Sequence, residues 1–421
     1  MNNRSPISSA YFFYPEKNLL LLVTLALFSL NLSAQYSSFT IDNQSNRKCF
    51  NFELINNLIV VPVVINDSIQ ANFILDTGVR STILTDNTQT NFDLSTCRPV
   101  QIIGAGIMNE VEAFVVPNIR FTLPGITADR LSIVVLKEDY LHLQNHLGIE
   151  INGILGYDFF SQFVVKIDYE GKIITVFNPD NFRLRKSYSQ ENISIIQGRP
   201  YIDTRVTLQN GSKLNAKLLI DTGASHAIML ETDSDSTIYV PDKHIETIVG
   251  WGLGGELTGE LGRIDSLNIK GYSFENVLCT FVSDYGQHII DKIPDRKGSV
   301  GGELLAKFTT IIDYKNKKLY LRKNTRFKSD FVYNMSGIDL IAIGNDFKLF
   351  KVIHLIKGSP ADIAGVQIGD MILAINGQMI TEMTIQEVNG FFRTKPKNRV
   401  SLLILRDQSL VKLSFKLAKL V

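Results

Sequence analysis

One short sequence occurs twice in the chain and governs how it can fold. Ile74-Leu75-Asp76-Thr77-Gly78 stands in the first half and Leu219-Ile220-Asp221-Thr222-Gly223 in the second, 145 residues later (221 − 76 = 145). Each is an apolar run that ends in Asp-Thr-Gly. A second pair keeps the same spacing. Gly153-Ile154-Leu155-Gly156-Tyr157-Asp158-Phe159-Phe160 leads to Ile167-Asp168-Tyr169, and Gly298-Ser299-Val300-Gly301-Gly302-Glu303-Leu304-Leu305 leads to Ile312-Asp313-Tyr314. Two copies of a long unit mean two similar lobes and exclude a stacked repeat array.

The runs before each Asp-Thr-Gly read as strands. Residues 58–65 and 69–75 flank a turn at Asn66-Asp67-Ser68, and residues 201–208 and 213–220 flank Gln209-Asn210-Gly211-Ser212. Asn-Gly between apolar runs is a strong hairpin signal, so each hairpin delivers one aspartate. Each half then has a glycine-rich stretch, Ile103-Gly104-Ala105-Gly106 and Val249-Gly250-Trp251-Gly252-Leu253-Gly254-Gly255. Glycine there permits positive φ and close approach of another backbone. Polar segments follow each lobe, and residues 337–421 have no counterpart in the duplication. The chain therefore divides into a leader at 1–34, an N-terminal segment at 35–54 and a first lobe at 55–180. A connector at 181–195, a second lobe at 196–325, a connector at 326–336 and a third domain at 337–421 complete it.

A length of 421 residues suits three domains, and an apolar content of 45% is that of a globular chain. A net charge of +1 gives no electrostatic reason to expect nucleic acid. Arg4 and Lys17 precede the apolar run 19–28, and Ser33-Ala34 supplies small residues for cleavage. This is the pattern of a signal peptide cut near Ala34, favoured over an uncleaved membrane anchor, and it implies a secreted or periplasmic bacterial protein with no stable membrane span after cleavage. Cys49, Cys97 and Cys279 are odd in number and none recurs at the repeat spacing. A disulfide framework is not expected, although one bridge is compatible with an oxidising compartment.

Asp-Thr-Gly at a strand end places a carboxylate on a tight turn. Two such turns facing each other bring two carboxylates about 3 Å apart, where they share one proton and hold a water. One carboxylate can then take a proton from the water while the other protonates a carbonyl. At these residues the chain resembles the retropepsin-like aspartic proteases of the pepsin superfamily, over roughly residues 55–325. The resemblance implies an all-β fold of two fused β-barrel lobes forming a pseudo-dimer, with Asp76 and Asp221 as catalytic dyad. Thr77, Gly78, Thr222 and Gly223 would support the dyad. Gly104, Ala105 and Gly106 in one lobe, and Trp251, Gly252, Leu253 and Gly254 in the other, would be flaps over a bound peptide. It implies no metal and no cofactor.

Several neighbours bear on that site. Arg80 follows the first motif and is expected to form an ordinary ion pair rather than to hold a substrate carboxylate. His226 is expected to be structural. His142 and His146 lie four apart but lack the glutamate of a zinc protease, and are expected on a helix surface. Val79 and Ala224 follow the two motifs where a hydroxyl could donate to the ionised pair. Without one, the pair's pKa values should rise and the working pH should be mildly acidic to near neutral.

In residues 337–421, Gly358-Ser359-Pro360-Ala361, Ala364-Gly365, Gly369-Asp370 and Ile375-Asn376-Gly377 resemble a bacterial PDZ domain. That implies a small α+β domain that accepts a peptide as an added strand, with Gly337, Ile338, Asp339 and Leu340 as its peptide-binding loop. The expected protein is a monomeric aspartic endopeptidase that uses this domain to capture peptide or protein substrates or partners, and needs no pro-segment removal. The competing reading is a peptide-binding scaffold that holds peptide without cutting it.

Overall fold

The computed structural model describes residues 38–102, 104, 106, 110–283, 293 and 295–421. The signal-peptide reading at 1–34 and the flap residue Ala105 lie outside the described residues.

In the first lobe β1 (Arg47–Asn51) precedes the hairpin of β2 (Leu58–Ile65) and β3 (Ile69–Leu75). The hairpin turns at Asn66 and Asp67, both at positive φ (49° and 59°), the backbone that a tight hairpin needs and these residues tolerate. Along β3, Ala71, Phe73 and Leu75 face the core in alternation, and Ile74 is buried too as the strand dives between layers. A long hairpin of β4 (Arg98–Ile102) and β5 (Val111–Leu123) follows, then α1 (Leu143–Leu147). β6 (Gly153–Leu155) lies parallel to β3, with Leu155 opposite Leu75, and leads into α2 (Tyr157–Phe160). β7 (Val164–Asp168) and β8 (Ile173–Phe177) close the lobe.

After β9 (Ser189–Asn192) the second lobe repeats this order. β10 (Arg199–Thr207) and β11 (Lys213–Ile220) make the hairpin, and β12 (Ile245–Gly252) and β13 (Gly255–Ile269) the long one. β14 (Arg296–Val300) lies parallel to β11 and leads into α3 (Gly302–Leu305), β15 (Phe308–Asp313) and β16 (Lys318–Lys323). The all-β, two-lobed expectation holds, and both parts of the duplication occupy equivalent places.

A six-stranded sheet joins the lobes in the order β9-β16-β15-β7-β8-β1. Its centre is the antiparallel pair β7 and β15, from Val164 opposite Asp313 to Asp168 opposite Thr309. The repeated Ile-Asp-Tyr sequences sit at the ends of these two strands. The polar stretches at 35–54 and 181–195 are therefore more than connectors, because each contributes an edge strand to this sheet. One apolar core runs through both lobes, and the Phe160 ring stacks on Tyr314 across them at 5.8 Å. The three cysteines are free thiols.

The third domain has its own core. β17 (Ile338–Ile343) pairs with β18 (Leu349–Leu355) and lies at the edge of the sheet, with Ile338, Leu340 and Ala342 turned inward. Helix α4 (Ile385–Phe391) packs on β17 and is started by a capping box between Thr384 and Glu387. Helix α1 of the first lobe packs on β17 as well.

Candidate active site

Each Asp-Thr-Gly turn follows directly from its strand. The Asp76 amide donates to Leu155 O on β6 (2.9 Å), and the Asp221 amide donates to Val300 O on β14 (2.9 Å). The parallel strand beside each hairpin thus fixes where the carboxylate emerges. Within each turn the glycine amide donates to the aspartate: Gly78 N to Asp76 Oδ1 (2.5 Å) and Gly223 N to Asp221 Oδ1 (3.0 Å). A side chain is excluded at Gly223 and would be tight at Gly78. A Cβ at 223 would lie 2.1 Å from Asp76 Cγ, and one at 78 would lie 3.0 Å from an oxygen of each aspartate.

The threonines lock the two turns to each other. Thr77 Oγ1 donates to Ile220 O (2.5 Å) and accepts from Thr222 N (3.1 Å). Thr222 Oγ1 donates to Leu75 O (2.8 Å) and accepts from Thr77 N (3.1 Å). Both side chains are fully buried, so each hydroxyl satisfies backbone groups of the opposite lobe that water cannot reach.

The Asp76 and Asp221 carboxyls face each other across the two turns, with an oxygen of each 3.0 Å from the same point beside Gly78. Burial holds the Asp76 carboxyl well above the usual carboxylate range, and the charge of Asp221 pushes it further. Burial also raises Asp221, against the hydrogen bonds from Asp76 and Gly223 and the charges of Arg296 and Arg199. The pair therefore keeps one proton where isolated carboxyls would have lost both.

The dyad opens into a cavity of about 480 Å³ lined by both lobes. Its roof is made by the two long hairpins. Gly104 and Gly106 of the first reach the tip of the second: a Cβ at 104 would lie 2.3 Å from Leu253 Cβ, and one at 106 equally close to the Gly254 backbone. Leu253 packs into a first-lobe apolar cluster, and Trp251 stacks on His146 of α1 at 4.5 Å. His146 is half-buried against this indole instead of lying on an open helix surface, and burial lowers its pKa to about 4. His226 bonds Ser299 Oγ (2.9 Å) and is also held neutral by burial, with its pKa at about 4.

Arg80 is exposed and does not line the cavity. The arginine at the dyad is Arg199, whose Nε donates to Gly78 O (2.6 Å). The hairpin registers, Tyr201 opposite Leu219 and Val60 opposite Ile74, place Arg199 where the first lobe has Leu58. Arg296, buried and paired with Glu231 at 2.8 Å, falls in sequence at the repeat offset from Ile151 (296 − 151 = 145). Charges that break the duplication were the available signal for both.

In the third domain Gly337 has φ +85° and abuts Ser359, and Ile338, Asp339 and Leu340 belong to β17. The Ile338 amide donates to Ser336 Oγ (3.1 Å), and Asp339 pairs with His354 (2.9 Å). Asp339 and Leu340 line the dyad's own cavity.

Two family models match the chain. One described as aspartyl protease covers residues 61–159 and 204–299, and one described as PDZ domain covers residues 352–406.

Proposed function

We propose that this chain, whose two lobes belong to the aspartyl protease family and whose C-terminal domain is a PDZ domain, is an endopeptidase with one active site per chain. The carrying observation is the pair Asp76 and Asp221, set side by side across the lobes on turns that the two threonines lock together.

The asymmetry of the pair suggests the roles. Asp76 is the better proton holder, and Asp221 is favoured in its ionised form by Arg199 and Arg296. Asp221 takes a proton from a water poised between the carboxylates as that water attacks the peptide carbonyl. Asp76 gives its proton to the carbonyl oxygen, and the tetrahedral intermediate collapses with a proton passing to the leaving amine. The flaps exclude bulk water from this step and must part to admit a peptide. The leader at 1–34 supports export to a periplasmic or extracellular site, and the paired lobes support a monomer.

The test is cleavage of casein or a peptide library by wild type, Asp76→Asn and Asp221→Asn. Cleavage by wild type and by neither variant supports the reading. Peptide binding without cleavage by wild type would make the protein a peptide-holding scaffold.

A further inference from the structure

Helix α1 belongs to the first lobe, yet it is built into the PDZ domain. Asn145 Nδ2 donates to Ala342 O on β17 (2.9 Å). Gly148, just past the helix, is so close that a Cβ there would lie 2.9 Å from Ile385 Cγ2 and 3.4 Å from Ala342 Cβ. Ile385 starts α4 and Ala342 lies on β17, so this segment sits where strand and helix face each other. It also takes a backbone acceptor on the edge strand to which an added peptide strand would bond.

The other end of the same face looks into the cleft. Leu340, Ile353, Asn389 and Arg393 line the cavity that holds Asp76 and Asp221. Trp251 and Leu257 of the second-lobe hairpin line the same cavity. Of the charged groups on the wall, Asp339 is hydrogen-bonded to His354 at 2.9 Å, a contact that favours the protonated imidazole. Arg393 is exposed, and its charge reaches the half-buried Glu303 of the second lobe. Arg393 is the cation that the wall presents to the cavity.

We propose that the PDZ domain is a fixed wall of the substrate cleft rather than a mobile capture arm, and that Arg393 on it selects extended peptides carrying a carboxylate away from the scissile bond. The cleavage part of this inference rests on the endopeptidase reading; the docking and the charge preference do not.

The test locks the contact. Gly148→Cys with Ala342→Cys, in a Cys49→Ser, Cys97→Ser background, places the two Cβ atoms near disulfide separation. The oxidised chain should cleave a protein substrate within about twofold of its reduced form. A loss of tenfold or more on oxidation, restored by reductant, would mean that the domain must undock and would overturn the proposal. Gly148 has φ +67°, so a cysteine there is strained. Should that variant fail to fold, Arg393→Ala changes only an exposed side chain. Wild type should prefer a peptide with a distal Glu over its Gln twin by about fivefold, and Arg393→Ala should erase the preference. No preference in wild type would overturn the proposal. Trp251 is the chain's single tryptophan, so its fluorescence reads binding of the same peptides to intact Asp76→Asn protein. Preferential binding with no cleavage by wild type would refute the endopeptidase reading and leave this one standing.

Discussion

Arg199 of the second lobe reaches across the cleft and donates its Nε to the carbonyl of Gly78 in the first, at 2.6 Å. A cation is thereby fixed beside a dyad whose burial otherwise disfavours charge. It lowers both carboxyls, in opposition to burial. Arg199→Gln should therefore raise the pair's apparent pKa values and move both limbs of the kcat/KM profile to higher pH. A profile that keeps its position would show that Arg199 only tethers the turn.

Asp76→Asn and Asp221→Asn should each lower kcat/KM by about 10³ or more. Either variant retaining half the activity would place the site between two chains. The same variants carry a stability signature. A carboxyl raised in the folded state binds its proton more tightly than in the unfolded chain, so it favours folding at low pH and loses that contribution as pH rises through its folded value. Asp76→Asn removes that loss, so its Tm should exceed wild type at pH 7 and the advantage should vanish near pH 3. A lower Tm at pH 7 would contradict the burial argument.

Thr77→Val strands the Ile220 carbonyl and the Thr222 amide, both inaccessible to water, and should cost about 2–4 kcal/mol. Thr222→Val should cost a similar amount. Because the two hydroxyls serve one network, the double variant should lose less than the two single losses combined. Urea denaturation of the four proteins measures this, and strict additivity would mean that the turns are not locked through these hydroxyls.

His146 and His226 both have pKa values lowered to about 4 by burial. The unfolded chain protonates them near 6.5, so the folded state loses stability as pH falls from there through 4. Thermal melts should show a decline across that window, smaller in His226→Asn or His146→Phe. Trp251 fluorescence should change with a midpoint near pH 4 as the stacked imidazole gains charge. A transition near 6.5 would place His146 in water.

The duplication made most of the fold legible. Asp-Thr-Gly at the end of an apolar hairpin strand announced both turns, and the downstream glycine motif announced the parallel strand and short helix that hold each one. The sheet between the lobes was not legible in the same way. β1 reads Arg-Lys-Cys-Phe-Asn with only Phe50 buried, and β9 reads Ser-Gln-Glu-Asn, so neither has the alternation that marks a strand. They are strands because β8 and β16 offer open edges. Arg199 and the wall formed by Leu340, Asn389 and Arg393 were hidden for a related reason. Their roles come from contacts between segments far apart in the chain, which local pattern does not encode.

The sheet that joins the lobes has a consequence for how the protein is born. Its outermost strand is made near residue 50, but the strands that complete it lie beyond residue 307. Pairings of such long sequence separation form late and slowly. A chain emerging from synthesis would carry the first aspartate, its turn and half the cleft for a long interval with nothing opposite. The dyad comes into existence only when the second lobe arrives and the sheet closes. A nascent chain that holds only the first lobe thus carries one carboxylate without its partner, and the order of synthesis itself sets the moment at which the paired site first exists.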